Sequence, residues 1–144
     1  GILFVMVIMA VSMLAASDSV TVPVYLNVPE FVRLSVAPGD DGQFNLAFDL
    51  LNPDASVQDT VALLAEANVA YIVTSSVTEV AGYGAWVDPN VFSVSIDNSV
   101  SGFGAAGSVT FNTTATINVL DNLNLGSVAD GTKIADVTFT ISSL

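Results

Sequence analysis

From Val20 onward, apolar residues recur at every second position. Val20, Val22, Val24, Leu26 and Val28 alternate with Thr21, Pro23, Tyr25 and Asn27, and Val32, Leu34 and Val36 keep the same phase. A period of two sends alternate side chains to opposite faces of an extended chain, so residues 20–36 predict a long, half-buried strand path. Pro23 and Pro29 cannot donate to a ladder, which places this path on a sheet edge or bends it between two sheets. Similar alternation runs through Phe44, Leu46, Phe48 and Leu50, through Tyr71, Val73 and Val77, and through Phe92, Val94 and Ile96. Residues 107–120 read as a further strand, and Val137, Phe139 and Ile141 as the last one. Pro38-Gly39-Asp40-Asp41-Gly42 and Asn52-Pro53-Asp54 are turns, and the stretches 80–90 and 99–107 are rich in Gly and turn residues. One segment reads differently. Ser56-Val57-Gln58-Asp59 fits a capping box, and Val57, Val61 and Leu64 have helical spacing, which predicts a short helix near 57–66. Six or seven short strands with Thr, Ser and Asn facing outward predict a mainly β fold, an immunoglobulin-like antiparallel β-sandwich.

The chain begins in another manner. Residues 2–11 contain no polar side chain, and after Ser12 the run resumes at Met13-Leu14-Ala15-Ala16. A rod that is apolar on every side must be surrounded by protein or lipid. As a helix, residues 1–16 reach roughly 24 Å, short of the ~30 Å hydrocarbon core, so a membrane anchor is marginal. Ala15-Ala16-Ser17 resembles a signal-peptide cleavage site, but no basic residue precedes the apolar run. The expectation is a segment of the mature protein, a short hydrophobic N-terminal helix buried in an assembly. The chain then divides into residues 1–17, a hydrophobic assembly segment, and residues 18–144, the β-domain. The candidate assembly residues are Ile2, Leu3, Phe4, Val5, Met6, Val7, Ile8, Met9, Val11, Met13 and Leu14.

Charge and composition remove most other chemistries. Fourteen acids face two bases, Arg33 and Lys133, for a net charge of −12 among 144 residues. Nucleic acid needs clustered Lys and Arg to neutralise phosphates, so no nucleic-acid partner is expected. There is no His and no Cys. That excludes disulfides, thiol nucleophiles, a Ser-His-Asp triad and His-ligated metals. The expectation is a chain that is not an enzyme and carries no cofactor or metal.

A few positions invite a sharper reading. Adjacent carboxylates at Asp40-Asp41, or the loop Asp121-Asn122-Leu123-Asn124, offer hard oxygen ligands for calcium, against ordinary Asx-turn chemistry. Lys133 near Ser127 suggests a dyad, against a solvated lysine after the Asp130-Gly131 turn. Trp86, Tyr83 and Phe103 suggest a sugar-binding platform, against aromatics that plug the end of a sandwich. Asn112-Thr113-Thr114 is a glycosylation sequon, and the strand phase that turns Val109 and Phe111 inward turns Asn112 outward.

An apolar N-terminal rod, Gly1-Ile2-Leu3-Phe4-Val5-Met6-Val7-Ile8-Met9-Ala10-Val11, joined to a small acidic Ser/Thr/Asn-rich β-domain resembles the archaeal type IV pilin and archaellin superfamily. That resemblance implies helices bundled in a filament core and β-domains forming its outer surface. The alternating segment with Val20, Val22, Val24, Leu26 and Val28 resembles instead the joining strand of donor-strand-exchange pilus subunits. There, the strand completes the sandwich of the next subunit by β-augmentation.

Either resemblance implies a structural subunit, a pilin, of an extracellular cell-surface filament that serves adhesion or surface interaction. Its partners would be copies of itself in a helical polymer, with membrane contact only transiently before assembly. The rival expectation is a secreted monomeric β-sandwich module that binds carbohydrate or a surface ligand and keeps a residual signal peptide.

Overall fold

The computed structural model describes residues 15–49, 51–52, 56–97, 107–118 and 125–144. The candidate helix with Ile2 to Leu14 lies outside the described residues, as do Leu50, Phe103 and the loop Asp121-Asn122-Leu123-Asn124. Within them the chain is mainly β. The strands are β1 (Val32–Val36), β2 (Val57–Ala67), β3 (Tyr71–Glu79), β4 (Phe92–Ile96), β5 (Gly107–Ile117) and β6 (Ala135–Ser143). Two short 3-10 turns, at Gly84–Trp86 and Leu125–Ser127, interrupt the connections. Every pairing is antiparallel. One sheet has four strands in the order β1-β2-β5-β4, and the other has two, β3-β6.

The core lies between these sheets. Val61, Leu63, Ala65 and Ala67 of β2 and Phe111 of β5 meet Tyr71 and Val73 of β3, with Phe139 and Ile141 of β6 packed against them. A second cluster gathers Trp86, Val91, Phe92, Ala115 and Ile117 toward the other end. Thr113 is the buried polar residue of β5, and its Oγ1 donates to the Val61 carbonyl at 2.8 Å, so no hydroxyl is stranded there.

Residues 57–66 are strand, not helix. The residues that reach the core are Val57, Val61, Leu63, Ala65 and Ala67, at period two, while Leu64 faces the other way. β2 pairs with β5 at every position from Val57 to Ala67 and with β1 along its second half. Ladders on both sides override the helix propensity of its Ala, Leu and Glu residues. The apparent capping box is used elsewhere. Ser56 Oγ donates to Asn118 Oδ1 at 2.8 Å, and Asp59 Oδ2 accepts the Asn45 N–H at 2.7 Å.

That last contact helps to close one flank of the molecule. β1 covers only residues 63–67 of β2. Along the remainder, Asp40 Oδ2 accepts the Ala62 N–H at 3.0 Å and Asp59 Oδ1 accepts the Thr60 N–H at 2.9 Å. Residues 43–49 run beside this edge without joining a ladder, and Phe44, Leu46 and Phe48 pack against the core from there. The strand expected over 44–50 is therefore an extended strap. The turn before it is built by Gly39 (φ +88°) and Gly42 (φ +69°), whose left-handed backbones disfavour any side chain. Asp40 Oδ1 accepts the Gly42 N–H at 2.8 Å, an Asx turn.

Candidate assembly site

Residues 15–31 are exposed throughout, and β1 starts only at Val32. The half-buried strand expected over 20–36 is thus half-buried and paired only in its last five residues, where Arg33 and Val36 are still exposed, because nothing in the described part of the chain covers the rest. The arm joins no helix or ladder, and its local preferences are for extended backbone. Val and Thr favour extended backbone, and Pro23 and Pro29 push the residues before them, Val22 and Val28, out of the helical region. Its alternation is retained without a partner. Val20 is 85% exposed, Val24 93% and Leu26 88%, with Val22 and Val28 also largely open. Five exposed apolar side chains at alternate positions of one unpaired segment are far from the scattered surface apolar residues common in monomeric proteins.

The base of the arm is held by one residue that the sequence does not announce. Asn68, in the turn from β2 to β3, accepts the Phe31 N–H through Oδ1 at 2.7 Å. Its Nδ2 donates to the Pro29 carbonyl at 2.9 Å, and its own N–H donates to the Phe31 carbonyl at 3.1 Å. Three hydrogen bonds fix the direction in which residues 15–28 leave the domain. Comparison with protein-family models, with curated proteins and with solved structures finds no match.

The other candidate positions that are described take ordinary structural roles or lie on the surface. Asp40 and Asp41 are spent on backbone and side-chain donors, Asp41 accepting the Gln43 N–H at 3.1 Å and the Asn45 side-chain amide at 3.2 Å. The N–H groups of Ala62 and then Gly42 hold the Asp40 carboxyl below the ordinary carboxylate range, with desolvation opposing them. No group of three or more metal-ligating side chains occurs among the described residues. No helix among them is long and apolar enough to cross a membrane.

Trp86 is buried and meets Phe48 edge-on, ring centres 6.3 Å apart, while Tyr83 packs half-buried on the same cluster. These rings plug one end of the core and offer no open platform. Lys133 is exposed and pairs with Asp136 Oδ1 at 2.7 Å, and Arg33 lies 3.8 Å from Glu66 on the neighbouring strand. Asn112 is exposed on the outward face of β5, between the buried Phe111 and Thr113.

Proposed function

We propose that this chain is a structural, non-enzymatic subunit of an extracellular surface filament, joined to copies of itself through its N-terminal segment. The observation that carries this reading is the arm, with Val20, Val22, Val24, Leu26 and Val28 exposed on an extended, unpaired chain. Removing each such side chain from water gains roughly 1.5–3 kcal/mol, so an uncovered arm strongly favours a second copy that covers it. The net charge of −12 opposes contact between copies, yet residues 19–29 carry no charge, so joining there adds no new repulsion. Contacts between two different surfaces of identical subunits do not close on themselves, and they generate a polymer. On this reading the two sheets form an immunoglobulin-like sandwich on the outside of the filament. Residues 2–14 form a short hydrophobic helix packed with its copies, as the resemblance to archaeal type IV pilins implies, and the arm is the second joining element. Adhesion or contact between cell surfaces is the role of such a polymer, reached after a transient passage through the membrane.

The test is assembly of the full chain and of two single-charge variants, scored by electron microscopy and pelleting. Val24→Asp places a carboxylate on the apolar face of the arm, and Val7→Asp places one in the N-terminal run. An unpaired carboxylate buried at a contact costs several kcal/mol. The expected result is polymers from the unsubstituted chain and none from Val24→Asp, with Val7→Asp reporting whether the first segment is buried as well. A full chain that stays monomeric at every concentration overturns the filament reading in favour of a secreted binding module.

A further inference from the structure

The arm has a counterpart on the opposite flank of the same molecule. One flank is closed by β1, by the 43–49 strap and by the carboxylates of Asp40 and Asp59. Among the described residues the other, where β3 faces β4, is open. Ser75 and Val77 lie on the same face of β3 as the buried Tyr71 and Val73, yet Ser75 is exposed and Val77 is 40% exposed. With Glu79, Val87, Pro89, Phe92, Ser93 and Val94 they line a groove of about 460 Å³ between the two sheets. The two-stranded sheet ends at β3, one strand short of covering this groove.

We propose that the free edge of β3 is the acceptor for residues 20–28 of a second copy, which adds as an antiparallel third strand and seats its apolar side chains in the groove. This inference rests on the reading of the chain as a self-joining subunit and names the surface that the arm joins.

Length, chemistry and hydrogen-bond geometry agree. β3 has nine residues, and residues 20–28 are nine positions, about 30 Å when extended. The groove is lined mainly by apolar and small side chains, and the arm brings five apolar side chains at the strand period. The direction follows from the ladder. The Leu144 N–H donates to the Ala70 carbonyl, and the Val80 N–H to the Ile134 carbonyl, so the even-numbered residues of β3 bond to β6. The odd-numbered residues, whose side chains face the groove, therefore aim their backbone groups at the free edge. An incoming strand whose groove-facing residues bond to that edge must run antiparallel to β3. In that pairing Val20, Val22, Val24, Leu26 and Val28 make the ladder. Pro23, which has no N–H, falls on the far side where none is needed. The arm leaves its own groove empty because the Asn68 clamp directs it away from the domain.

The chain has no cysteine, so engineered pairs report without background. Val22→Cys is placed in one full-length chain, and Ser75→Cys, Val77→Cys or Glu79→Cys in another, to sample three registers. Directly opposed antiparallel residues of this type lie about 5.5 Å apart at Cα, within disulfide range. The two chains are mixed, assembled under reductant, then oxidised mildly, and linked peptides are read by mass spectrometry. Thr138→Cys, on the outward face of β6, is the control partner. A mixed disulfide between chains at one of the three β3 positions, absent with the control, is the expected result. Polymers that form without any such disulfide overturn the acceptor assignment and leave the filament reading standing. A disulfide that forms only when both cysteines are in one chain also overturns it, because the arm then folds onto its own domain. An unsubstituted chain that does not polymerise overturns both.

Discussion

Asn68 and Phe31 are joined in both directions: the side-chain Oδ1 of Asn68 accepts the Phe31 N–H at 2.7 Å, and the Asn68 N–H reaches the Phe31 carbonyl at 3.1 Å. The two residues are 37 positions apart, and one turn thereby holds the root of an arm that nothing else in the described structure covers. Asn68→Ala removes two side-chain hydrogen bonds at an exposed site. The expected loss is about 1 kcal/mol in unfolding free energy. Amide exchange at Phe31 should accelerate, while amides within β2 and β5 keep their protection. Unchanged exchange at Phe31 refutes the clamp.

Tyr71 is fully buried, and its hydroxyl has no hydrogen-bond partner among the described residues. A buried hydroxyl without a partner forfeits its hydration, so Tyr71→Phe should raise stability by about 1 kcal/mol at neutral pH. Burial also pushes the Tyr71 pKa up from its ordinary value. Between the unfolded value near 10 and the higher folded one, the unfolded chain has lost the proton and the folded chain keeps it. Stability therefore falls as pH rises above about 10 in the unsubstituted chain, and by less in Tyr71→Phe. Denaturant titrations at pH 7 and above pH 10 measure both effects.

The Asp40 carboxylate links the turn after β1 to the bare part of the β2 edge. Its folded pKa is lowered by two backbone donors. The stability it contributes is thus present above the unfolded value near 4 and is lost as pH falls through the folded one. Asp40→Asn, with only one oxygen left to accept, should melt several degrees below the unsubstituted chain at pH 7. The gap should close as the pH drops below about 4. A constant gap across that range counts against the carboxylate as the source.

Asn112 sits outward on β5 and heads the sequon Asn112-Thr113-Thr114. In a host that glycosylates asparagine during export, native protein should carry a glycan mass there. Intact mass before and after Asn112→Gln decides it, and an added mass that survives the substitution refutes the site.

Much of the fold was legible because most strands bury one face and leave the other wet. Tyr71 and Val73, Phe111 and Ile117, and Phe139 and Ile141 all announce their strands by alternation and are covered as the pattern requires. β2 was not legible. Its core positions include Ala65 and Ala67, small residues that carry little hydrophobic contrast, and its Leu and Ala content imitates a helix. The arm's alternation was legible, but not that residues 20–31 stay uncovered and outside any ladder. An alternating sequence reads the same whether its partner strand lies in its own chain or in another. Asn68 was hidden for a different reason, since a clamp between residues 31 and 68 leaves no local pattern in either segment.

The carboxylates along β2 also make the two flanks unequal. By accepting the Thr60 and Ala62 N–H groups, Asp59 and Asp40 withdraw two outward donors of that margin from any stranger. On the acceptor assignment proposed above, strand addition gives each unit one plug and one socket. Growth through that proposed joint would be head to tail, with chemically distinct ends, each addition consuming one bare β3 edge and presenting another.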